Sequence, residues 1–242
     1  MIEGIDIQPQ PLSNLLNRGF QLGGSMFRRV SKLFYLMTLL YFIATHYVAG
    51  MLGPNVYGDV FVTFANLSYS FYVMAYFIRI MMKESNKERK FKKGSFLKLF
   101  PILFIAGFFY WLAFIAGSVL LIVPGVLFFF YFLFFPSIIA FEQKPLIKSF
   151  TRSMRLVRGS FFRVATIYAV FLGMQASAVI IASLLLVSDS FLLTAFVAAI
   201  IHIVILPFQA TTLNLLYFEL RAENEAFDFE VFEYEARRQL TA

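Results

Sequence analysis

The chain of 242 residues contains no cysteine, only two histidines, and charged residues at just 14% of positions. Without cysteine there can be no disulfide, thiolate nucleophile or thiolate metal ligand. Two histidines are too few for a metal site built from imidazoles, so we expect no metal and no cofactor. The charged fraction is about half the roughly 25% of soluble domains, which leaves too little polar surface for a water-facing globule.

Apolar residues dominate what is present: 60% of the chain is hydrophobic and its mean hydropathy is +0.76. About 20 apolar residues cross a bilayer once, so this length allows roughly six crossings. The spans must be helical because open strands cannot cross lipid. Uncharged windows therefore predict one all-α, six-helix membrane domain over residues 1–242. The predicted spans are 31–52, 58–82, 98–121, 125–142, 162–187 and 191–218.

The basic residues predict the orientation of the chain. With these spans, all 21 Lys and Arg fall on one side of the membrane. The loops on the other side, around Asn55, Ser118 and Asp189, carry none. The positive-inside rule then places both termini in the cytoplasm. A missed or extra span would scramble this one-sided distribution, which therefore also supports the number six.

Amphipathic helices are predicted at the membrane surface before spans one and five, at residues 11–30 and 145–159. In the second, apolar residues recur at helical spacing and predict a stripe that faces the membrane. Basic residues on its other faces would contact anionic headgroups, each contributing about 1 kcal/mol. The stripe comprises Leu146, Ile147, Phe150, Met154 and Val157. The predicted headgroup contacts are Lys148, Arg152, Arg155, Arg158 and Arg163.

An internal repeat is also predicted. A shift of 134 positions aligns residues 15–30 with residues 149–164 at five identities in 16 positions. The same shift lays span one on span five and span two on span six. Four crossings separate the copies, so the repeat would be parallel, unlike the inverted repeats of many transporters. The first copy's amphipathic helix has lower helix propensity because it contains Gly19, Gly23 and Gly24.

Several motifs of the sequence resemble one family. A Val-Pro-Gly turn ends at Gly125, and residues 152–163 read Arg-Ser-Met-Arg-Leu-Val-Arg-Gly-Ser-Phe-Phe-Arg. These resemble the YciC-type bacterial inner-membrane proteins and the membrane domain attached to some glycerophosphodiester phosphodiesterases. The resemblance implies a multi-pass protein of the bacterial cytoplasmic membrane without assigned activity, since the phosphodiesterase name belongs to a fused soluble domain. The motif residues are Pro124, Gly125, Pro136, Glu142, Ser153, Gly159, Glu219 and Arg221.

No Asp, Glu, Lys or Arg lies deep in any predicted span. Such groups usually mark proton relays, ion paths or catalysis within membranes. We therefore predict a protein that is not an enzyme and has no catalytic residue. The polar intramembrane candidates are His46, Asn66 and His202. We expect each histidine to bond a neighbouring helix, although a buried pair could bind a ligand.

Two charged segments raise the question of partners. Residues 83–98 are strongly basic, and positive-inside orientation with anionic lipid explains them without nucleic acid. Residues 219–242 form an acidic tail in which acids alternate with aromatic residues. The tail could dock on the basic face of its own chain, which we favour, on a second copy in a homo-oligomer, or on a cytoplasmic protein.

Three functions remain open at the level of sequence. We favour a non-enzymatic membrane protein that engages phospholipid through its basic surface helices and acts as a membrane-organising or lipid-handling module. One alternative is a transporter or channel for a small neutral or apolar solute, with a path near His202, Pro207 and span two. The other is a membrane anchor that recruits a partner through the acidic tail.

Overall fold

The fold is seen in a computed structural model that describes residues 10–53, 56–85, 99–120, 122–185, 191–225, 231 and 234–235. The structure is 92% helical, and its described residues contain no strand. The basic loop at 86–98 and most of the acidic tail lie outside the described residues, as do the loops around Asn55 and Asp189.

Nine helices make up the described part of the chain, and six segments are long and apolar enough to cross a membrane. The prediction of an all-α protein is confirmed, and the six helical segments that could span a membrane agree in number with the predicted spans. Orientation, the surface position of the amphipathic helices and the parallel repeat stay predictions. The helices are α1 Leu12–Arg29, α2 Lys32–Leu52, α3 Val56–Ser85, α4 Phe100–Leu120, α5 Ile122–Tyr131, α6 Phe135–Glu142, α7 Leu146–Val157, α8 Phe161–Leu185 and α9 Phe191–Glu225.

The fourth span differs from the continuous helix that the sequence predicts, because it is broken between α5 and α6. The side chain of Ser153 on α7 fills the break: its hydroxyl donates to the Tyr131 carbonyl at 2.7 Å and accepts from the Phe134 amide at 3.1 Å. Ser153 is fully buried, and Pro136 lies in the first turn of α6. A serine from another helix thus satisfies backbone groups that the break leaves open.

The Val-Pro-Gly motif lies within the first turn of α5 instead of forming the turn itself. Proline suits this position because its missing amide hydrogen has no helical partner there. Gly125 contributes close packing: a Cβ added at Gly117 on α4 would stand 3.0 Å from the Gly125 Cα. The motif therefore brings α4 and α5 into near contact.

Helix α1 packs along α9, and its glycines make this possible. A Cβ added at Gly19 would stand 2.0 Å from Thr212 Oγ1, and one at Gly23 would stand 2.8 Å from Phe208 Cδ1. Small residues four apart let two helices approach closely. The glycines that lower helix propensity in this segment are thus required at its interface with α9.

Burial concentrates at one end of the bundle, which we call the basic end and define by Arg18, Arg152, Arg163 and Arg221. Every residue of α9 from Gln209 to Arg221 is buried there, and α9 contacts α1, α2, α3, α7 and α8. By contrast, only 17% of the most apolar window of α2 or of α8 is buried. The rest of these two helices presents apolar side chains outward, as a lipid-facing surface does.

Candidate functional site

The basic end contains a network of ion pairs centred on Glu142, the last residue of α6. Arg152 Nε donates to Glu142 Oε1 at 2.6 Å, and the two terminal nitrogens of Arg152 donate to the two carboxylate oxygens of Glu225 at 2.5 and 2.6 Å. Lys144 Nζ lies 2.6 Å from Glu142 Oε2, and the Tyr217 hydroxyl donates to Glu142 at 2.5 Å. Arg152 thereby ties the end of α6 to the end of α9.

The electrostatic balance at Arg152 favours its charged form. Partial burial opposes the charge, but the hydrogen bonds to Glu225 and then to Glu142 outweigh burial and raise the pKa of Arg152 above the usual arginine value. Bidentate arginine–carboxylate pairs of this kind are directional as well as strong. Arg152 therefore acts as a permanent cation that holds two acids.

A second network joins the start of α8 to the opposite face of α9. Arg163 pairs with Glu219 and donates to Glu223 at 2.6 Å, and it also donates to the Gln10 carbonyl at 2.7 Å. Arg18 of α1 lies 4.0 Å from Glu219. The network connects α1, α8 and α9 at one point.

The described acids of the tail bond to basic residues of the same chain. Glu223 and Glu225 belong to the last turns of α9, and Glu235 accepts from Arg221 at 2.8 and 3.1 Å. The Arg221 guanidinium also lies 5.6 Å from the centroid of the Phe141 ring, within range of a cation–π contact. These contacts are of the kind we expect if the tail docks on its own chain.

The five predicted headgroup contacts divide into two groups. Arg152 and Arg163 are held in ion pairs with acids of the chain, as described above. Lys148, Arg155 and Arg158 are exposed, and none pairs with an acid in the part of the chain that the structure describes. The division arises because the buried face of α7 comprises Ser149, Ser153, Leu156 and Val157.

The predicted apolar stripe of α7 is likewise divided. Val157 is buried against the bundle, but Ile147 is 77% exposed and Met154 is 38% exposed. Gly159, just beyond the helix, is also exposed and has open space around its Cα. Two small serines, Ser149 and Ser153, share the packing face with Leu156 and Val157, and Ser153 bonds the break in span four. Ile147 and Met154 therefore share the outer surface with the three exposed cations.

Both histidines bond within their own helix, not to a neighbouring helix as the sequence suggests. His46 Nδ1 lies 2.9 Å from the Phe42 carbonyl, and His202 Nδ1 lies 2.8 Å from the Ala198 carbonyl. Since a carbonyl only accepts, Nδ1 is the donor in each case and Nε2 of the neutral ring is an acceptor. The Phe42 ring contacts both histidines, with its centroid 4.4 Å from that of His202 and 6.4 Å from that of His46.

A cavity of about 610 Å³ lies among α3, α4, α5, α8 and α9, on the side of the bundle's packed core away from the ion pairs. Most of its wall is apolar and aromatic, and Trp111 and Tyr168 are part of it. No charged side chain is among the described residues of its wall. The polar members of the wall are Thr63, Asn66, Ser70, Gln175, His202 and Gln209.

Two polar groups at this cavity have no hydrogen-bond partner among the residues that the structure describes. They are Asn66 Oδ1 and Trp111 Nε1. Other polar groups of the wall are bonded: Gln175 Nε2 donates to Gln209 Oε1 at 2.8 Å, and Ser70 donates to the Leu67 carbonyl. The cavity thus combines His202 and Asn66, two of the polar candidates named from the sequence, while His46 lies outside it.

The cavity wall includes Trp111, Gln175 and Gln209, which are not among the polar candidates named from the sequence. Two glutamines within spans that lack charged residues could have indicated part of this wall, because an amide in lipid needs a hydrogen-bond partner. Their pairing across α8 and α9 depends on tertiary packing, which hydropathy does not contain. Comparison with known proteins gives no match to a family model, a curated protein or a solved structure. The family resemblance of the motifs therefore stays a prediction.

Proposed function

We propose that this chain is a non-enzymatic protein of the bacterial cytoplasmic membrane that engages anionic phospholipid and serves as a membrane-organising or lipid-handling module. The observation that carries the proposal is the outer surface of α7. Lys148, Arg155 and Arg158 are exposed there beside the exposed apolar side chains Ile147 and Met154. Such a surface suits the boundary between acyl chains and headgroups.

The ion pairs of α7 support this assignment by fixing the helix. Arg152 holds α7 to α6 and α9, and Ser153 holds it to the break in span four. A helix held at two points presents its free cations in a constant geometry, which lowers the entropy lost when a lipid binds. In the proposal, Arg152 and Arg163 support the lipid-binding surface and the three exposed cations contact phosphate.

Thermal unfolding in detergent tests the proposal. Phosphatidylglycerol should raise the melting temperature more than phosphatidylcholine with the same acyl chains, because a ligand that binds only the folded state stabilises it. The double variant Arg155→Gln/Arg158→Gln should lose most of this difference. The matched control Arg28→Gln/Arg29→Gln removes the same charge from exposed positions of α1 and should keep it. Equal losses in both variants would mean that net charge, or lipid contact by α1 as well, is responsible, and would overturn the assignment to this surface.

The proposal includes an orientation with both termini, and thus the basic end, in the cytoplasm. The cytoplasmic leaflet is rich in anionic lipid, which attracts juxtamembrane Lys and Arg. The exposed cations of α7 would then face the leaflet whose headgroups they fit. Orientation and lipid contact support each other but can be tested separately.

A further inference from the structure

We infer that the cavity among α3, α4, α5, α8 and α9 binds an uncharged, mostly apolar molecule that carries a hydroxyl group. The inference goes beyond the proposed phospholipid contact, because it concerns another ligand at another place. The cavity lies among the spans, and the exposed cations of α7 are not part of its wall.

The size and wall of the cavity set the class of ligand. Its volume of about 610 Å³ falls within the roughly 300–1,000 Å³ of pockets that hold small molecules. Because no charged side chain lies among the described residues of the wall, an ion or a charged headgroup would be left without a countercharge in a medium of low dielectric constant. The ligand must therefore be neutral and largely apolar.

Asn66 and Trp111 show that the ligand also needs a polar group. Trp111 is only 7% exposed, and its indole N–H has no acceptor in the described part of the chain. The amide oxygen of Asn66 likewise has no donor there. A buried polar group without a partner is unfavourable, so a ligand that bonds both groups is favoured over one that bonds neither. Asn66 can present either amide atom to the cavity by rotation about its terminal torsion, which is broad.

A hydroxyl group matches these requirements better than a group that can only donate or only accept hydrogen bonds. It donates one hydrogen bond and accepts others, so it can accept from the Trp111 N–H and donate to Asn66 Oδ1 or to Nε2 of His202. The hydrocarbon part of the ligand would occupy the aromatic and aliphatic wall. A long-chain alcohol is the simplest probe with this chemistry.

The chain contains its own reporter, because Trp111 is its only tryptophan. We would titrate the intact protein in detergent with 11-bromo-1-undecanol, whose bromine quenches indole fluorescence. The expected result is saturable quenching that undecan-1-ol relieves. Undecane, which lacks the hydroxyl, and undecanoate, which is charged, should each compete at least about tenfold more weakly. Quenching without saturation, or equal competition by undecane, would overturn the inference.

Two variants and a matched control locate the site. Ala176→Phe adds bulk at the cavity wall, whereas Ala44→Phe adds it on α2, away from the cavity; both alanines are exposed, so neither change disturbs the core. Saturable quenching should disappear in the first and persist in the second. Asn66→Leu should weaken the alcohol about fivefold to tenfold and leave undecane unchanged. If the bromoalcohol quenches the fluorescence of Ala176→Phe as it does that of the unchanged protein, the cavity is not the binding site.

The inference and the proposed function fail separately. Arg155→Gln/Arg158→Gln should leave the quenching of Trp111 unchanged, because these residues lie outside the cavity. Loss of alcohol binding in that variant would contradict a separate site among the spans.

Discussion

Single small side chains determine how closely the helices at the basic end pack. Gly19 and Gly23 let α1 lie against Thr212 and Phe208 of α9, and Ser153 replaces the hydrogen bonds that span four loses at its break. The two glycines matter because they have no side chain, and Ser153 matters because of its one hydroxyl group. A hydropathy profile records neither property.

We predict that Gly19→Ala destabilises the protein by about 1–3 kcal/mol, as overpacking does in close-packed interiors. The new Cβ would meet Thr212 Oγ1 at 2.0 Å and Thr212 Cβ at 2.8 Å. Gly24→Ala is the control, because its Cβ meets only Phe208 Cε1, at 3.9 Å, and alanine has the higher helix propensity. Thermal unfolding should show a lower melting temperature for the first variant and an unchanged or higher one for the second.

We predict that Ser153→Ala costs about 1–3 kcal/mol of stability, because the Phe134 amide and the Tyr131 carbonyl lose their partner in a buried place. Ser183→Ala serves as the comparison, since Ser183 is exposed and bonds only the Ile180 carbonyl of its own helix. Equal melting temperatures of the two variants would show that the break in span four does not depend on Ser153.

Helices at the basic end are joined by ion pairs as well as by packing. Arg152 connects α6, α7 and α9, and Arg163 connects α8 with α9. Three residues of the motifs named from the sequence, Glu142, Glu219 and Arg221, take part in these ion pairs. Their side chains therefore help to join the helices of the basic end.

We predict that Arg152 and Glu225 are energetically coupled by about 1 kcal/mol, at the upper end for partly exposed pairs because the contact is bidentate. A double-mutant cycle of Arg152→Gln and Glu225→Gln in unfolding measurements gives this value. The same cycle with Lys148→Gln in place of Arg152→Gln should give a coupling near zero, since Lys148 is exposed. Coupling of similar size in both cycles would point to a general charge effect.

Six candidate spans were predictable because charged residues are excluded from the middle of each window and occur only near its ends and in the loops. The break at Phe132–Phe134 was not predictable. Pro136 alone fits the first turn of a helix as well as a kink, and the serine that bonds the backbone groups at the break lies on another helix. The glycines of α1 predict a weaker isolated helix, yet residues Leu12–Arg29 are helical where they pack against α9, because packing can outweigh propensity. The cavity needs side chains from five helices, and no periodicity along the sequence brings them together.

The molecule as a whole is uneven from end to end. Its basic end is tightly packed and linked by ion pairs, and much of the rest presents apolar side chains outward. Such a distribution fits a bundle whose basic end meets water and anionic headgroups while the remainder meets hydrocarbon. The orientation of the chain in the membrane decides which leaflet the basic end would contact.

We predict that a cysteine at Ser13 reacts with a membrane-impermeant maleimide only after the cells are opened, whereas one at Asn55 reacts in intact spheroplasts. The chain has no cysteine of its own, so each single substitution is read without background. Labelling of the Ser13 position in intact spheroplasts would reverse the orientation and remove the cytoplasmic leaflet as the surface that the basic end contacts.

Native mass spectrometry of the protein released gently from its own membrane tests whether the protein itself retains phospholipid, as the lipid-handling proposal requires. We predict that the unchanged protein retains anionic phospholipid, that Arg155→Gln/Arg158→Gln loses it, and that Arg28→Gln/Arg29→Gln keeps it. The same spectrum counts the copies of the chain and reveals any second polypeptide. A protein that carries no lipid, or that retains neutral and anionic lipids alike in all three forms, would contradict phospholipid recognition by the exposed cations of α7.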